Sequence, residues 1–234
     1  LYKEMLGRIK QTDLSVPTKI GQWRYFSKTE EGKQYASYLR SKTRDGKDPE
    51  TLLDVNEMAK GFKFFSVGPF EVSDDGHMLA FATDTTGYRQ YTLQFKDLRT
   101  GKILDAKIER VTSTEWSSDG KYFFYGQEDK VSKRSDKIFR HTVGSSGGDV
   151  LVFEEKDELF GSGIGRSRDK KMMFIGSYAR RGSAAAGRWR GFRREAGDRD
   201  PASPRSGPVL HCRQQGSRRH RSCRTVHEDR MCPR

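Results

Sequence analysis

Tyr91, Leu93 and Phe95 alternate with Thr92, Gln94 and Lys96, a period of two that predicts a β-strand with one buried face. Much of the chain follows the same rhythm. Trp23 and Tyr25, then Tyr35 and Tyr38, lie in short aromatic runs broken by the turn signals Glu30-Glu31-Gly32 and Arg44-Asp45-Gly46. Asp97 to Lys102 predicts a turn leading to a strand at Ile103-Leu104. The order recurs as Ile138 to Thr142, a turn from Val143 to Gly148, and Val150 to Phe153. The opening residues differ: Tyr2, Met5, Leu6 and Ile9 recur at helical spacing among Lys3, Glu4, Arg8 and Lys10, until Val16-Pro17 stops the pattern.

One phrase repeats. Val72-Ser73-Asp74-Asp75-Gly76 precedes His77 to Phe81, Trp116-Ser117-Ser118-Asp119-Gly120 precedes Lys121 to Tyr125, and a looser copy ending Ser167-Arg168-Asp169-Lys170 precedes Lys171 to Ile175. The turn residues Asp75, Asp119 and Asp169 fall 44 and then 50 residues apart, which is the period of a β-propeller blade. A partial blade is expected over residues 22–60, fuller ones over 65–110 and 111–157, and the start of a fourth to about residue 178. The fold class is thus all-β, an incomplete β-propeller of about three to four blades of four-stranded antiparallel sheets. A helical arm (1–17) precedes the propeller portion (18–180), and a disordered Arg-rich tail (181–234) follows. Closed propellers typically need four to eight blades, so exposed blade faces and unpaired edges are expected.

Charge changes the picture after residue 180. Residues 1–180 hold 31 Lys and Arg against 27 Asp and Glu, whereas residues 181–234 hold 14 arginines, no lysine and 5 acids, out of a net +13. Such a segment buries too little apolar area to offset its chain entropy. Arginine without lysine, with Ala, Gly, Pro, Ser and stray cysteines, is the composition of a GC-rich gene read out of frame, and that is the reading for the tail. A genuine basic tail holding nucleic-acid phosphates is the alternative, and its binding would be weak, sequence-blind and salt-sensitive. A metal site from His211, Cys212, His220, Cys223, His227 and Cys232 is a further alternative, but their spacing forms no repeated C-x-x-C. All three cysteines lie in the tail, so the repeat region has no disulfide framework and a reducing, cytoplasmic setting is expected. No apolar run reaches the length of a membrane span, and no leader-like segment precedes the first strand.

Leu1-Tyr2-Lys3-Glu4-Met5-Leu6-Gly7-Arg8-Ile9-Lys10-Gln11-Thr12-Asp13, then Tyr25 to Tyr35 and Leu53-Asp54-Val55-Asn56, resemble the N-terminal region of oligopeptidase B in the prolyl oligopeptidase family. Phe70 to Gly76, Thr83-Asp84-Thr85-Thr86-Gly87, Tyr91-Thr92-Leu93 and Lys96 to Gly101 continue the likeness, which runs through Glu154 to Glu158 and Ile175 to Tyr178 and so covers about residues 1–178. The resemblance implies a serine peptidase in which a seven-bladed propeller caps an α/β-hydrolase domain and admits short peptides, cut after Arg or Lys. It implies that nucleophile, acid and histidine all come from that hydrolase domain. No catalytic residue, cofactor or metal is therefore assigned here. The expected partners are short peptides and the missing hydrolase domain, with no membrane and no specific nucleic acid.

Several motifs have a plainer reading. Gly144-Ser145-Ser146-Gly147-Gly148 satisfies G-x-S-x-G, but a nucleophile elbow needs a helix after the serine, and Val150 to Phe153 reads as a strand. A hairpin turn is expected, with no acid or histidine assigned to Ser146. Gly161-Ser162-Gly163-Ile164-Gly165 lacks the lysine of a phosphate loop and is expected as a turn into a strand. Glu154, Glu155, Asp157 and Glu158 read as a solvated charge run rather than a site for basic peptides. Trp116 and Tyr122 to Tyr125 read as packing between blades. The leading functional expectation is an inactive propeller fragment of such a peptidase. Its rivals are a stand-alone propeller-type interaction module and a nucleic-acid binder acting through the tail.

Overall fold

The computed structural model describes residues 1–145, 147–179, 188–193 and 210–213. Strands dominate, and the chain forms two compact units, residues 1–90 with 95–103, and residues 91–94 with 104 onward.

In the first unit α1 (Tyr2–Gly7) buries none of its residues. One antiparallel sheet follows, made of β1 (Asp13–Leu14), β2 (Thr18–Ile20), β3 (Trp23–Thr29), β4 (Ser37–Ser41) and β5 (Glu50–Asp54). β1 and β2 both pair with β3, at Lys28 and Thr29 and at Trp23 to Tyr25 respectively. Pro17, between them, has no N–H to give a ladder, which explains the break. Asp54 ends β5 and caps α2 (Val55–Met58), its Oδ1 accepting from the N–H of Asn56 at 3.0 Å and of Glu57 at 3.3 Å. Asn56 in turn satisfies both backbone groups of Tyr35, at 2.9 and 2.8 Å. β6 (Ser66–Val72) and β7 (Met78–Asp84) form a hairpin that completes the core. Leu52, Leu53, Val55, Phe65, Leu79 and Phe81 are all buried there, flanked by Tyr25, Tyr35, Tyr38 and Phe70, and the Tyr38 and Phe70 rings stack at 4.8 Å. β7 is buried on both faces, Ala80 and Ala82 opposite Leu79 and Phe81, so its sequence is a continuous apolar run.

The chain crosses between the units inside β8 (Tyr91–Asp97). In the second unit Tyr91 and Leu93 pair with β9 (Ile108–Trp116), and β10 (Tyr122–Glu128), β11 (Ser135–Thr142) and β12 (Val150–Glu154) extend the antiparallel ladder in sequence order. Trp116, Phe123, Tyr125 and Ile138 fill its core, and Trp116 meets Phe123 edge to face at 4.8 Å. The hairpin of β13 (Phe160–Arg166) and β14 (Met172–Ala179) packs against this sheet. Ser162 Oγ donates to the Ser135 carbonyl at 3.2 Å, Ser118 Oγ to the Lys170 carbonyl at 2.9 Å, and Arg166 Nε lies 3.1 Å from Glu115 Oε1.

Three expectations change. The glycines of residues 161–165 lie inside β13, not in a turn before it. A Cβ at Gly161 would stand 3.0 Å from the Tyr178 ring of β14, so the missing side chain lets that ring cross the neighbouring strand. The strand at Ile103-Leu104 reduces to a single bridge between Lys96 and Ile103, because two apolar residues beside a tight 97–102 turn have little to bury. Within the stretch expected to be a disordered tail, β15 (Arg188–Arg193) pairs with β14 and β16 (Leu210–Arg213) pairs with β15. Ladder pairing uses only backbone N–H and C=O groups, which an arginine-rich segment supplies as well as any other. The rest of that tail lies outside the described residues.

The repeated phrase is one turn built three times. Ser73, Ser117 and Ser167 each donate Oγ–H to the aspartate two residues on, at 2.6 Å, and each accepts the N–H of the residue five on, at 2.9 Å. The aspartates Asp75, Asp119 and Asp169 also accept the N–H of residues 77, 121 and 171. The next residue takes a left-handed conformation, Gly76 at φ 74°, Gly120 at φ 67° and Lys170 at φ 61°. Lys170→Gly is expected to raise stability by about 0.5–1 kcal/mol by removing this strain. Gly76→Ala is expected to lower it by about 2 kcal/mol, because the new Cβ would stand 3.1 Å from Trp23 Nε1 at an unfavourable φ. Urea midpoints of the two variants check the opposite signs.

Burial pushes Asp75 up, but the Ser73 hydroxyl and the His77 N–H outweigh it, so its carboxyl sits below the usual range. Burial likewise opposes the Thr86, Gly87 and Arg89 donors that hold Asp84 down. Groups lowered on folding contribute stability above the unfolded carboxylate range and lose it as pH falls through the folded value. The melting temperature is therefore expected to fall below about pH 4 through these two groups, and Ser73→Ala to flatten that fall. A scan of Tm against pH tests this.

Candidate functional site

The formal nucleophile motif joins β11 to β12, two antiparallel neighbours paired from Lys137 opposite Glu154 to Arg140 opposite Val150, with one register shift between Ile138 and Phe139. Gly144 and Gly148 take φ of 87° and 85°, and Ser145 donates both N–H and Oγ–H to the Thr142 carbonyl, at 3.0 and 2.8 Å. This is hairpin geometry, strand to turn to strand. Ser146 itself lies outside the described residues.

Below the turn the structure brings together a histidine and an acid that sequence reasoning missed. His141 Nδ1 lies 2.7 Å from Asp149 Oδ1, and the Tyr125 hydroxyl donates to Asp149 Oδ2 at 2.6 Å. His141 is 2 % exposed. Burial, then the neighbouring carboxylate, pushes the Tyr125 hydroxyl well above its ordinary value, so it remains a donor. Asp149 therefore has one oxygen engaged by His141 within the hairpin and the other by Tyr125 of the neighbouring strand β10, which braces the turn. An elbow would instead supply backbone N–H groups from a helix N-terminus at the serine, and the next element here is β12.

The acidic run is a loop held by the Arg134 side chain and by its own carboxylates bonding its backbone. Arg134 Nη1 lies 2.9–3.0 Å from the carbonyl oxygens of Glu155, Asp157 and Phe160, while Glu155 and Asp157 accept the N–H groups of Asp157 and Leu159. Glu154 Oε1 lies 3.6 Å from Lys137 Nζ. Trp116, Phe123 and Tyr125 are core, and Arg140 stacks over Tyr122 at 4.6 Å. In the first unit an apolar recess of about 340 Å³ is lined by Tyr35, Tyr38, Val55, Phe64, Phe65 and Val67 among others. Its lining includes no carboxylate, imidazole, amine or thiol. On α1 and just after it, Tyr2, Met5 and Ile9 are all more than half exposed. Among the described residues no group of three or more His, Cys, Asp or Glu side chains is placed to hold a metal ion, and no helix is long and apolar enough to cross a membrane. His220, Cys223, His227 and Cys232 lie outside the described residues, and the side chains of His211 and Cys212 in β16 do also.

The sheets and their turns have close relatives. The dipeptidyl aminopeptidase BI of Pseudoxanthomonas mexicana is 40% identical over 195 residues, covering 75% of this chain and 27% of that protein. Protease 2 of Moraxella lacunata is 33% identical over 185 residues, covering 75% of this chain and 26% of that protein. Oligopeptidase B from Leishmania major superposes with a TM-score of 0.79 at 26% identity, over 92% of this chain and 30% of that one. Oligopeptidase B from Trypanosoma brucei gives 0.74 at 25% identity, over 91% and 29%. The chain spans about a quarter of the length of the curated relatives it matches. Residues 1–188 match the family model for the N-terminal β-propeller domain of prolyl oligopeptidase, and the chain belongs to that family.

Proposed function

We propose that this chain is the propeller portion of an oligopeptidase-B-like serine endopeptidase, a portion that admits short peptides to an α/β-hydrolase domain and is inactive alone. The observation that carries this reading is the placement of G-x-S-x-G on the β11–β12 hairpin, in a chain whose family match is to the propeller domain. Cleavage after Arg or Lys in the intact enzyme rests on the likeness to oligopeptidase B. The exposed apolar residues Tyr2, Met5 and Ile9 suit a face that packs on the hydrolase domain. A cytoplasmic setting fits the absence of cysteine from residues 1–180.

The test is an assay of the purified 234-residue chain on an Arg-containing fluorogenic dipeptide and on a substrate reporting dipeptide release, since one relative is named a dipeptidyl aminopeptidase. Turnover at the level of the blank is expected with both. Turnover that disappears in Ser146→Ala overturns the reading. A soluble oligomer of defined size with cooperative melting would favour the stand-alone interaction module instead.

A further inference from the structure

We propose that Asp45-Gly46, on the loop between β4 and β5, is the chain's site of spontaneous isoaspartate formation. The sequence has three Asp-Gly steps, at 45–46, 75–76 and 119–120. All three place the least hindered residue after the aspartate, so local sequence alone gives them similar reactivity. The fold separates them.

The reaction needs the Gly amide nitrogen to attack the Asp side-chain carboxyl carbon. A C–N bond forms, the carboxyl C–O bond breaks, and the amide hydrogen and carboxyl hydroxyl leave as one water. The five-membered imide then takes up water. Opening at the former main-chain carbonyl routes the backbone through the side chain as isoaspartate, and opening at the other carbonyl restores aspartate.

At 75–76 and 119–120 both reacting groups are committed. Asp75 Oδ1 is held by Ser73 Oγ at 2.6 Å and by the His77 N–H at 2.9 Å, and the Gly76 N–H donates to the Ser73 carbonyl at 2.9 Å. Asp119 and Gly120 repeat this with Ser117 and Lys121, the Gly120 N–H donating at 3.0 Å. At 45–46 the Gly46 N–H reaches the Thr43 carbonyl only at 3.4 Å, beyond the usual range for such a bond. Asp45 meets Lys47 Nζ at 3.1 Å, with the two side chains 54% and 77% exposed, and its other hydrogen bonds are to the side chain of the exposed Thr43 and to nearby backbone. Ion pairs this exposed open readily. Asp75 is no less exposed, at 58%, but it and Asp119 are tied to the buried hydroxyls of Ser73 and Ser117, whereas the Asp45 carboxyl can turn onto the Gly46 nitrogen by releasing exposed partners alone.

The product lengthens the backbone by one methylene where there is little room. A Cβ built on Gly46 already stands 3.4 Å from Phe26, and the Lys47 carbonyl anchors Ser41 Oγ at 2.6 Å and Thr43 Oγ1 at 3.1 Å.

The test ages the full chain at neutral pH and physiological temperature, with and without urea. Labelling by an isoaspartyl-directed carboxyl methyltransferase, and fragmentation of the peptides by electron transfer, assign each position. Several-fold faster accumulation at residue 45 than at 75 or 119 is expected in the folded chain, with the three rates converging in urea. Equal rates in the folded chain overturn the proposal, and so does an excess at 45 that persists in urea.

Discussion

Trp116→Ala is expected to lower the unfolding free energy by about 3–5 kcal/mol, the usual cost of truncating a large buried aromatic. Trp116 is 1 % exposed, and it meets Phe123, itself fully buried, edge to face with an interplanar angle of 72°. Neighbouring strands close too tightly around such a ring to collapse into the space it leaves. Trp116→Phe keeps an aromatic ring and is expected to cost less than half as much. Urea unfolding followed by near-UV circular dichroism measures both, and a loss under about 1 kcal/mol for the alanine variant would show that this core is not packed as described.

Arg40→Met is the second large effect, expected at about 2–4 kcal/mol. Arg40 is 4 % exposed, its Nε donates to Glu50 Oε2 at 2.8 Å, its Nη1 to the Gly76 carbonyl at 2.5 Å, and its guanidinium lies 3.9 Å from the centre of the Trp23 ring. Methionine fills the volume but leaves the Gly76 carbonyl without this donor. Much of the loss comes from that group and from the stack on Trp23, since Glu50 is half exposed and its ion pair contributes little. Arg40→Lys is expected to recover less than half, because a single ammonium cannot stack on indole and serve two acceptors in a planar fork. Full recovery in the lysine variant would show that charge alone matters at this position.

What the sequence made legible was local. The alternation at Tyr91 to Phe95 and the Ser-x-Asp phrase each report neighbours within a few residues, and β8 and the three turns stand where the patterns place them. α2 was missed because four residues are too few to show a helical period, and its one signal was Asp54 as a cap. The His141 and Asp149 contact was within reach of hairpin logic. With Arg140 opposite Val150, the next pair towards the turn is His141 and Asp149. The grip of Arg40 on Gly76 had no such signal, since a backbone carbonyl 36 positions away leaves no mark in the sequence.

The three serine-aspartate turns are each closed by bonds spanning only two to five positions. Hairpins of this reach form within about 1–10 μs, far faster than a ribosome adds one amino acid. Each can therefore zip up as soon as its own stretch leaves the exit tunnel, without waiting for the next. Biosynthesis would then deliver a row of ready-made pieces, and the slow step left to the molecule is their stacking.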